Sequence, residues 1–257
     1  MEENELGLPF EYQELPEYFD AHNINEDTEA KNRIIEKILH EHKVKTVLDL
    51  TCGTGSQVFH LKKRGYKVIG ADFSPALLDI ARKKARKEKV DVRFIDGDMR
   101  TLKVDHFDAV ITIFNAVGHL TKPDFEKAME NIHGNLKDGG IYIFDIFNLE
   151  AMTDSVVNDF AMDVWSTVDD AQIHAVQTST LDKEKGRLTS YNHLTIQKGS
   201  EPPKEYKSNF TLQIYTAGEL REMLARNGFE TICQYGFDEG ELFEDKTLSI
   251  LTVTRKQ

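Results

Sequence analysis

A chain of 257 residues, 40% hydrophobic and 30% charged with only 6 Pro, is long enough for one large α/β domain with an insertion and unlike a disordered or collagen-like polymer. Its 44 acidic against 32 basic residues give a formal charge of −12, which repels phosphate backbones and anionic lipid and argues against a nucleic-acid or membrane partner. Two cysteines without metal-ligand spacing, Cys52 and Cys233, and apolar runs too short to span a bilayer predict a reduced, cytoplasmic protein, and an acidic Met1–Glu5 stands where a secretory signal carries positive charge.

After an irregular start, Thr28 is read as the cap of a helix whose apolar residues Ile34, Ile35, Ile38 and Leu39 recur at helical spacing, ending near His42. Short β-branched or apolar runs then alternate with helical patterns: a strand over 46–50, a helix around Val58 and Leu61, a strand over 67–70, a helix over 75–87 and a strand over 92–95. The basic run from Arg82 to Lys89 falls at a helix end, where solvated cations complement the macrodipole. Nearly continuous apolar runs over 108–114 and 141–147, with a helix over 123–136 between them, read as strands buried on both faces. From about Ala161 the pattern becomes alternating, as in Leu188 to Ile196, with turn signals at 182–186 and 198–200, so an antiparallel sheet is predicted there. Helical spacing returns at Leu220, Met223 and Leu224 between Thr216 and Gly228, and two strands close the chain over 229–235 and 248–254. The expected architecture is α/β: a Rossmann-like, mostly parallel seven-stranded sheet flanked by helices, with an inserted antiparallel β-sheet subdomain. Its divisions are an N-terminal arm or lid over 1–27, the main domain over 28–150 and 215–257, and the insertion over 151–214.

Three strand ends carry chemistry. Thr46 to Ser56 runs from a buried strand into a glycine turn, where Gly53 and Gly55 let the backbone turn tightly beside a ligand and the next helix presents free N–H groups. The third glycine of the dinucleotide fingerprint is replaced by Val58, which speaks against a nicotinamide dehydrogenase. Asp72 ends the following strand 17 positions beyond Gly55, placed either to accept both ribose hydroxyls or to cap the helix beginning near Pro75, a role for which Ser74 also suits. Asp96-Gly97-Asp98-Met99 ends the third strand, and its two carboxylates and thioether suit an adenine, whose ring would lie against Met99 or Phe73.

In this order the three elements resemble the class I S-adenosylmethionine-dependent methyltransferases, and the resemblance covers about Thr28 to Phe147 plus Leu220 to Thr254. Val47-Leu48-Asp49-Leu50-Thr51-Cys52-Gly53-Thr54-Gly55 is similar to the family's first motif, Asp72-Phe73-Ser74 to its ribose motif and Gly97-Asp98-Met99 to its adenine motif; Thr51 replaces the usual small residue or Gly. The resemblance implies S-adenosylmethionine as cofactor and S-adenosylhomocysteine as product, with Asp49, Thr51, Cys52, Gly53, Gly55, Asp72, Phe73, Asp98, Met99, Ile113 and Phe114 about the cofactor.

The stretch Asn115-Ala116-Val117-Gly118-His119-Leu120 resembles the substrate-facing segment of amino-sugar and of glycine/sarcosine N-methyltransferases. It implies substrate contacts at Asn115 and His119, with His119 as base, relay or orienting group; the alternative is a capping or surface histidine. Glycine-type enzymes place an Arg after the fifth strand to clamp a carboxylate, whereas Phe147 and Asn148 follow that strand here, so Phe147 is expected at the substrate and an amino sugar or small amine is favoured over an amino acid. Tyr12 to Asp20 resembles the family's arm, in which Tyr18 is the candidate for contacting amine or cofactor, the alternative being that Tyr18 and Phe19 staple the arm to the first helix. Asp145 and Asn148 are the only pair suggestive of a metal, and none is expected. The predicted function is methyl transfer to a small-molecule acceptor, an amine first, with a homodimer through the insertion; an RNA methyltransferase and a non-catalytic adenosyl-binding protein are the competing readings.

Overall fold

A computed structural model describes residues 6–236, 242–243 and 245–257; the acidic start at 1–5 lies outside them. The first long helix, α2 at Glu26–Glu41, follows a short α1 at Phe19–Asn23. Its cap is Asn25 rather than Thr28: the Asn25 side chain accepts the Thr28 N–H, and the Thr28 hydroxyl accepts the Asn25 N–H in return. Thr28 therefore stands three positions inside the helix as the reciprocal half of a capping box.

The main sheet comprises β1 at Thr46–Asp49, β2 at Lys67–Asp72, β3 at Arg93–Asp96, β4 at Phe107–Thr112, β5 at Leu136–Phe147, β10 at Phe229–Tyr235 and β11 at Ser249–Lys256, in the order β10-β11-β5-β4-β1-β2-β3. All pairs from β5 to β3 are parallel, and β11 runs antiparallel to both β5 and β10. Helices α3 at Ser56–Lys63, α4 at Pro75–Glu88, α5 at Lys122–Asn135 and α7 at Ala217–Arg226 make the connections. Ser74, not Asp72, caps α4 by accepting the Leu77 N–H at 3.2 Å. The central strands read as unbroken apolar runs because both faces are covered: Val110, Tyr142 and Phe144 pack on one side with α5 and α7, and Val47, Ala109 and Ile143 on the other with α2 and α3. Full burial of each such large side chain contributes roughly 1.5–3 kcal/mol.

A short α6 at Asp154–Asp159 leads into the second sheet, where β6 at Met162–Val168, β7 at Ala171–Asp182, β8 at Arg187–Lys198 and β9 at Lys204–Gln213 form an antiparallel meander. Alternate residues Ala171, Ile173 and Ala175 of β7 and Leu194 and Ile196 of β8 share one face, and the arm packs onto that face through Phe10, Leu15 and Tyr18. The Thr211 N–H donates to the Leu6 carbonyl at 2.6 Å, so the arm also lies along β9. Among the described residues no helix is long and apolar enough to cross a membrane.

Candidate functional site

Strand order reverses between β1 and β4, the place where open α/β sheets bind ligands, and a cavity opens there at the carboxyl ends of the strands. Asp49 ends β1 with its carboxylate buried, accepting the Thr51 N–H at 3.2 Å. Burial pushes its pKa up to about 8, the Thr51 bond pulls against this, and the neighbouring Asp72 charge adds to it. Asp72, also buried, accepts the Gly53 N–H at 2.8 Å on one oxygen and the Ser74 N–H at 2.9 Å on the other. It thereby braces the glycine turn across to β2, and burial raises its pKa to about 6. A carboxylate has about four acceptor positions, so two remain for hydroxyls in the cavity.

Gly53 lines the cavity in the left-handed region with φ 50°. Gly55 does not line it: with φ 92°, it opens α3, and a Cβ there would stand 2.7 Å from the Phe59 ring. Its left-handed backbone and the packing of α3 under the turn both call for glycine there. Thr51 and Cys52 both line the cavity; the Thr51 hydroxyl is buried without a partner, and burial pushes the free Cys52 thiol up from its ordinary value.

Asp98 and Met99 occupy the wall beyond β3 beside Phe73. The Asp98 carboxylate is already engaged: it accepts the Arg100 N–H at 2.8 Å, Arg100 Nε at 3.0 Å on both oxygens and Nη2 at 2.6 Å. Burial works to raise its pKa, but the Arg100 bonds outweigh this and hold it below the usual carboxylate range. Arg100 reaches Asp124 as well, at 3.1 Å, and itself lines the cavity. The adenine amino group expected at Asp98 therefore has to compete with Arg100, a partner two positions on that strand-end reasoning did not weigh.

At the other end stand Ile113, Phe114 and His119. β4 stops at Thr112 because Phe114 and Asn115 are both left-handed, with φ 64° and 58°. Each such residue costs on the order of 1–2 kcal/mol, and the pair is held by Asp145, whose Oδ1 accepts the Phe114 N–H at 2.5 Å and the Asn115 N–H at 3.4 Å. A 3₁₀ turn over Ala116–His119 follows and delivers the imidazole to the cavity, with Nε2 3.2 Å from the Tyr12 hydroxyl. Burial without a counter-charge lowers the His119 pKa to about 4, so the ring is neutral at physiological pH, and its Nδ1 is buried without a partner.

Three of the expected residues stand outside the cavity wall. Tyr18 is only 2% exposed and faces the inserted sheet among Phe10, Leu15 and Ile173, with Lys198 Nζ 5.9 Å above its ring. Two successive 3₁₀ turns, Phe10–Tyr12 and Pro16–Tyr18, send their tyrosines to opposite sides, and it is Tyr12 that enters the cavity. Phe147 ends β5 away from the cavity, its ring 5.4 Å from Phe160. Asn115 supplies backbone conformation, its side-chain oxygen buried without a partner outside the cavity wall. Asn148 is engaged by backbone, donating to the Thr247 carbonyl and accepting the Glu150 N–H, while Asp145 serves the Phe114 turn.

Two arm residues that the sequence did not single out complete the site. Asp20 accepts the Thr54 hydroxyl at 2.6 Å and pairs with Lys84 at 2.5 Å, and the Tyr12 carbonyl accepts the Ser74 hydroxyl. The arm is thus bonded to both the glycine turn and the start of α4. Their visible sign was only an aromatic and acidic cluster ahead of the first helix.

Residues 47–140, which hold β1 to β4 and all three strand-end motifs, match the family model described as a methyltransferase domain. These residues form a methyltransferase domain. Over 132 residues it is 36% identical to a glycine/sarcosine N-methyltransferase of Parasynechococcus marenigrum, an alignment covering 50% of this chain and 47% of that protein. The chain spans about half the length of the curated relatives it matches. In fold it is similar to an S-adenosylmethionine-dependent methyltransferase of Clostridium acetobutylicum, with TM-score 0.77, 18% identity and coverage of 93% and 96% of the two chains. It is also similar to a sugar N-methyltransferase of Streptoalloteichus, with TM-score 0.76, 17% identity and coverage of 92% and 91%. These likenesses extend beyond the methyltransferase domain to the inserted sheet.

The donor set of the methyltransferase domain suits a cationic, hydroxylated ligand. Asp49, Asp72 and Asp98 line the cavity, and among the described lining residues the one permanent cation, Arg100, is paired with Asp98 and Asp124. Asp49 and Asp72 are buried and have no cationic partner among the described residues, a deficit that a positively charged ligand removes.

Proposed function

We propose that the protein transfers the methyl group of S-adenosylmethionine to a small molecule bearing an amine, an amino sugar first among the candidates. The observation that carries this reading is the neutral His119, with Tyr12 on Nε2 and no partner on Nδ1, at one end of a cavity whose other walls are the glycine turn, Asp72 and Asp98. The cofactor, when bound, supplies an activated methyl on a sulfonium. Asp72 would accept hydrogen bonds from its ribose hydroxyls, and Asp49 would offset positive charge at its amino-acid end. The residues of the acceptor end position a lone pair in line and exclude water, which is most of what such a displacement needs. A neutral imidazole accepts the amine's hydrogen bond and orients it, and Tyr12 fixes the ring.

Among the described residues no Arg or Lys lines the acceptor end beside His119, which supports an uncarboxylated amine over an amino acid. In this reading residues 1–27 form the lid, 28–150 with 215–257 the catalytic domain, and 151–214 an insertion that serves the acceptor pocket, a dimer interface or both, its Phe210 ring standing 5.8 Å from that of His119. The exposed Val164 and Trp165 on edge strand β6, 44% and 69% accessible, support a homodimer through the insertion. The formal charge of −12 favours a small acceptor over nucleic acid, and the free cysteines agree with a cytoplasmic setting. Calorimetry with S-adenosylmethionine, S-adenosylhomocysteine and NAD, followed by a methyl-transfer screen of amino sugars and small amines, tests this. Binding of NAD alone overturns the cofactor assignment, and adenosyl binding with no turnover across the screen favours a non-catalytic binding protein.

A further inference from the structure

The buried carboxylate of Asp145 is not part of the cavity wall, yet it sits where the acceptor segment departs from the sheet. Five non-glycine residues have positive φ among the described residues, and Phe114 and Asn115 are the one consecutive pair. Lys43 and Lys89 stand singly just after helices, and Asp169 singly between two strands, where local turns suffice. The left-handed pair instead lies between a core strand and the turn that carries His119. Both of its N–H groups converge on the same oxygen of Asp145, 31 and 30 positions along the chain, while the second oxygen is buried without a partner. Asp145 is held in β5 by its register with Leu251 of β11, so the anchor belongs to the rigid sheet. The Phe114 ring forms cavity wall on one side of this anchor and receives Lys31 Nζ at 5.3 Å. Lys31 is also the charge that acts on Asp145 against the effect of its burial.

We propose that Asp145 is a positioning residue for the transfer reaction: by accepting the N–H groups of Phe114 and Asn115 it holds the left-handed pair that aims Phe114 and His119 at the acceptor. This rests on the methyl-transfer reading for its purpose. A charged acceptor is suited to the task, because hydrogen bonds to an ionised oxygen are about twice as strong as neutral ones, and the segment's own turn bond, from the Gly118 N–H to the Asn115 carbonyl at 2.9 Å, leaves the Phe114 and Asn115 N–H groups to Asp145.

The test uses the full chain and needs no acceptor: an NMR titration of the His119 imidazole, assigned by its loss in His119→Asn, beside calorimetry with S-adenosylhomocysteine and a thermal melt. In the wild type, burial is expected to hold the midpoint down at about 4. Asp145→Ala is expected to release the segment and move the midpoint toward the ordinary value of about 6.5. Adding Asn115→Gly to that variant is expected to bring it part-way back, since glycine takes the left-handed conformation freely. A lowered melting point with an unmoved His119 titration, or a double variant no different from the single one, makes Asp145 merely structural and overturns the proposal. Should Asp145→Ala fail to fold, Asp145→Asn, which retains an oxygen acceptor without its charge, is expected to shift the midpoint in the same direction by less, and no shift overturns it. A wild type that does not bind S-adenosylhomocysteine sinks the methyl-transfer reading while the His119 titration still decides whether Asp145 aims the segment.

Discussion

The Tyr12 hydroxyl lies 3.2 Å from Nε2 of His119, joining the N-terminal arm to the segment after β4 across 107 positions of chain. The rings also meet edge to face, with centroids 5.3 Å apart, so the contact is both polar and packed. Tyr12→Phe is expected to leave cofactor affinity within a few-fold and lower turnover on the amine about ten-fold, because the ring still fills its place while His119 loses its partner. His119→Ala is expected to lower turnover by about 10²-fold or more, with the cofactor Kd little changed. Separate measurements of cofactor binding and of kcat decide this, and a cofactor Kd that collapses in either variant moves the pair out of the acceptor end.

Asp72 bears on ligand and protein at once, since its oxygens hold the Gly53 and Ser74 N–H groups. Asp72→Ala is expected to weaken S-adenosylhomocysteine by at least 30-fold, the equivalent of about 2 kcal/mol, and to lower the melting point even without ligand. Asp72→Asn retains one acceptor and is expected to lose less of both. Unchanged affinity with a lowered melting point would confine Asp72 to bracing the turn.

The pH dependence has a definite sign. Folding raises the pKa of Asp49 to about 8 and of Asp72 to about 6, so the folded chain binds more protons than the unfolded one above pH 4. Their stability contribution is fully present below the unfolded carboxylate pKa and is lost as pH rises through 6 and then 8. Ligand-free protein is therefore expected to lose these contributions between about pH 4 and 8, measurable by denaturant titration. Binding a cationic cofactor favours the ionised carboxylates, so at pH 7 it should release protons, seen as a buffer-dependent binding enthalpy. Uptake of protons would show that these groups do not meet the ligand's charge.

Asp20 ties the arm to the site through Thr54 and Lys84. Asp20→Ala is expected to speed S-adenosylhomocysteine release several-fold and to make the arm more susceptible to limited proteolysis, while the melting point changes little, since a partly exposed tie of this kind is worth about 1 kcal/mol. Stopped-flow release that matches the wild type would show that the arm does not gate the cavity.

The alternation of apolar runs with helical patterns, the closing strands and the alternating texture of the insertion were all legible in the chain, because strand and helix periods are local properties. So were Asp49, Gly53, Asp72 and Met99 as neighbours: parallel strands joined by right-handed crossovers bring their carboxyl ends together, so residues at successive strand ends meet whatever else the fold does. Only the tertiary structure decided which tyrosine of the arm enters the cavity. Tyr18 is drawn to the apolar face of β7 and β8 by Ile173 and Leu194, more than 150 positions away, and Tyr12 is left to meet His119. Packing between elements likewise turned Phe147 toward Phe160 and set Asp145 beneath the left-handed pair. Motif spacing determines which residues share a strand end, but the direction of a side chain on an irregular segment follows from what packs against it, and that partner lies elsewhere in the chain.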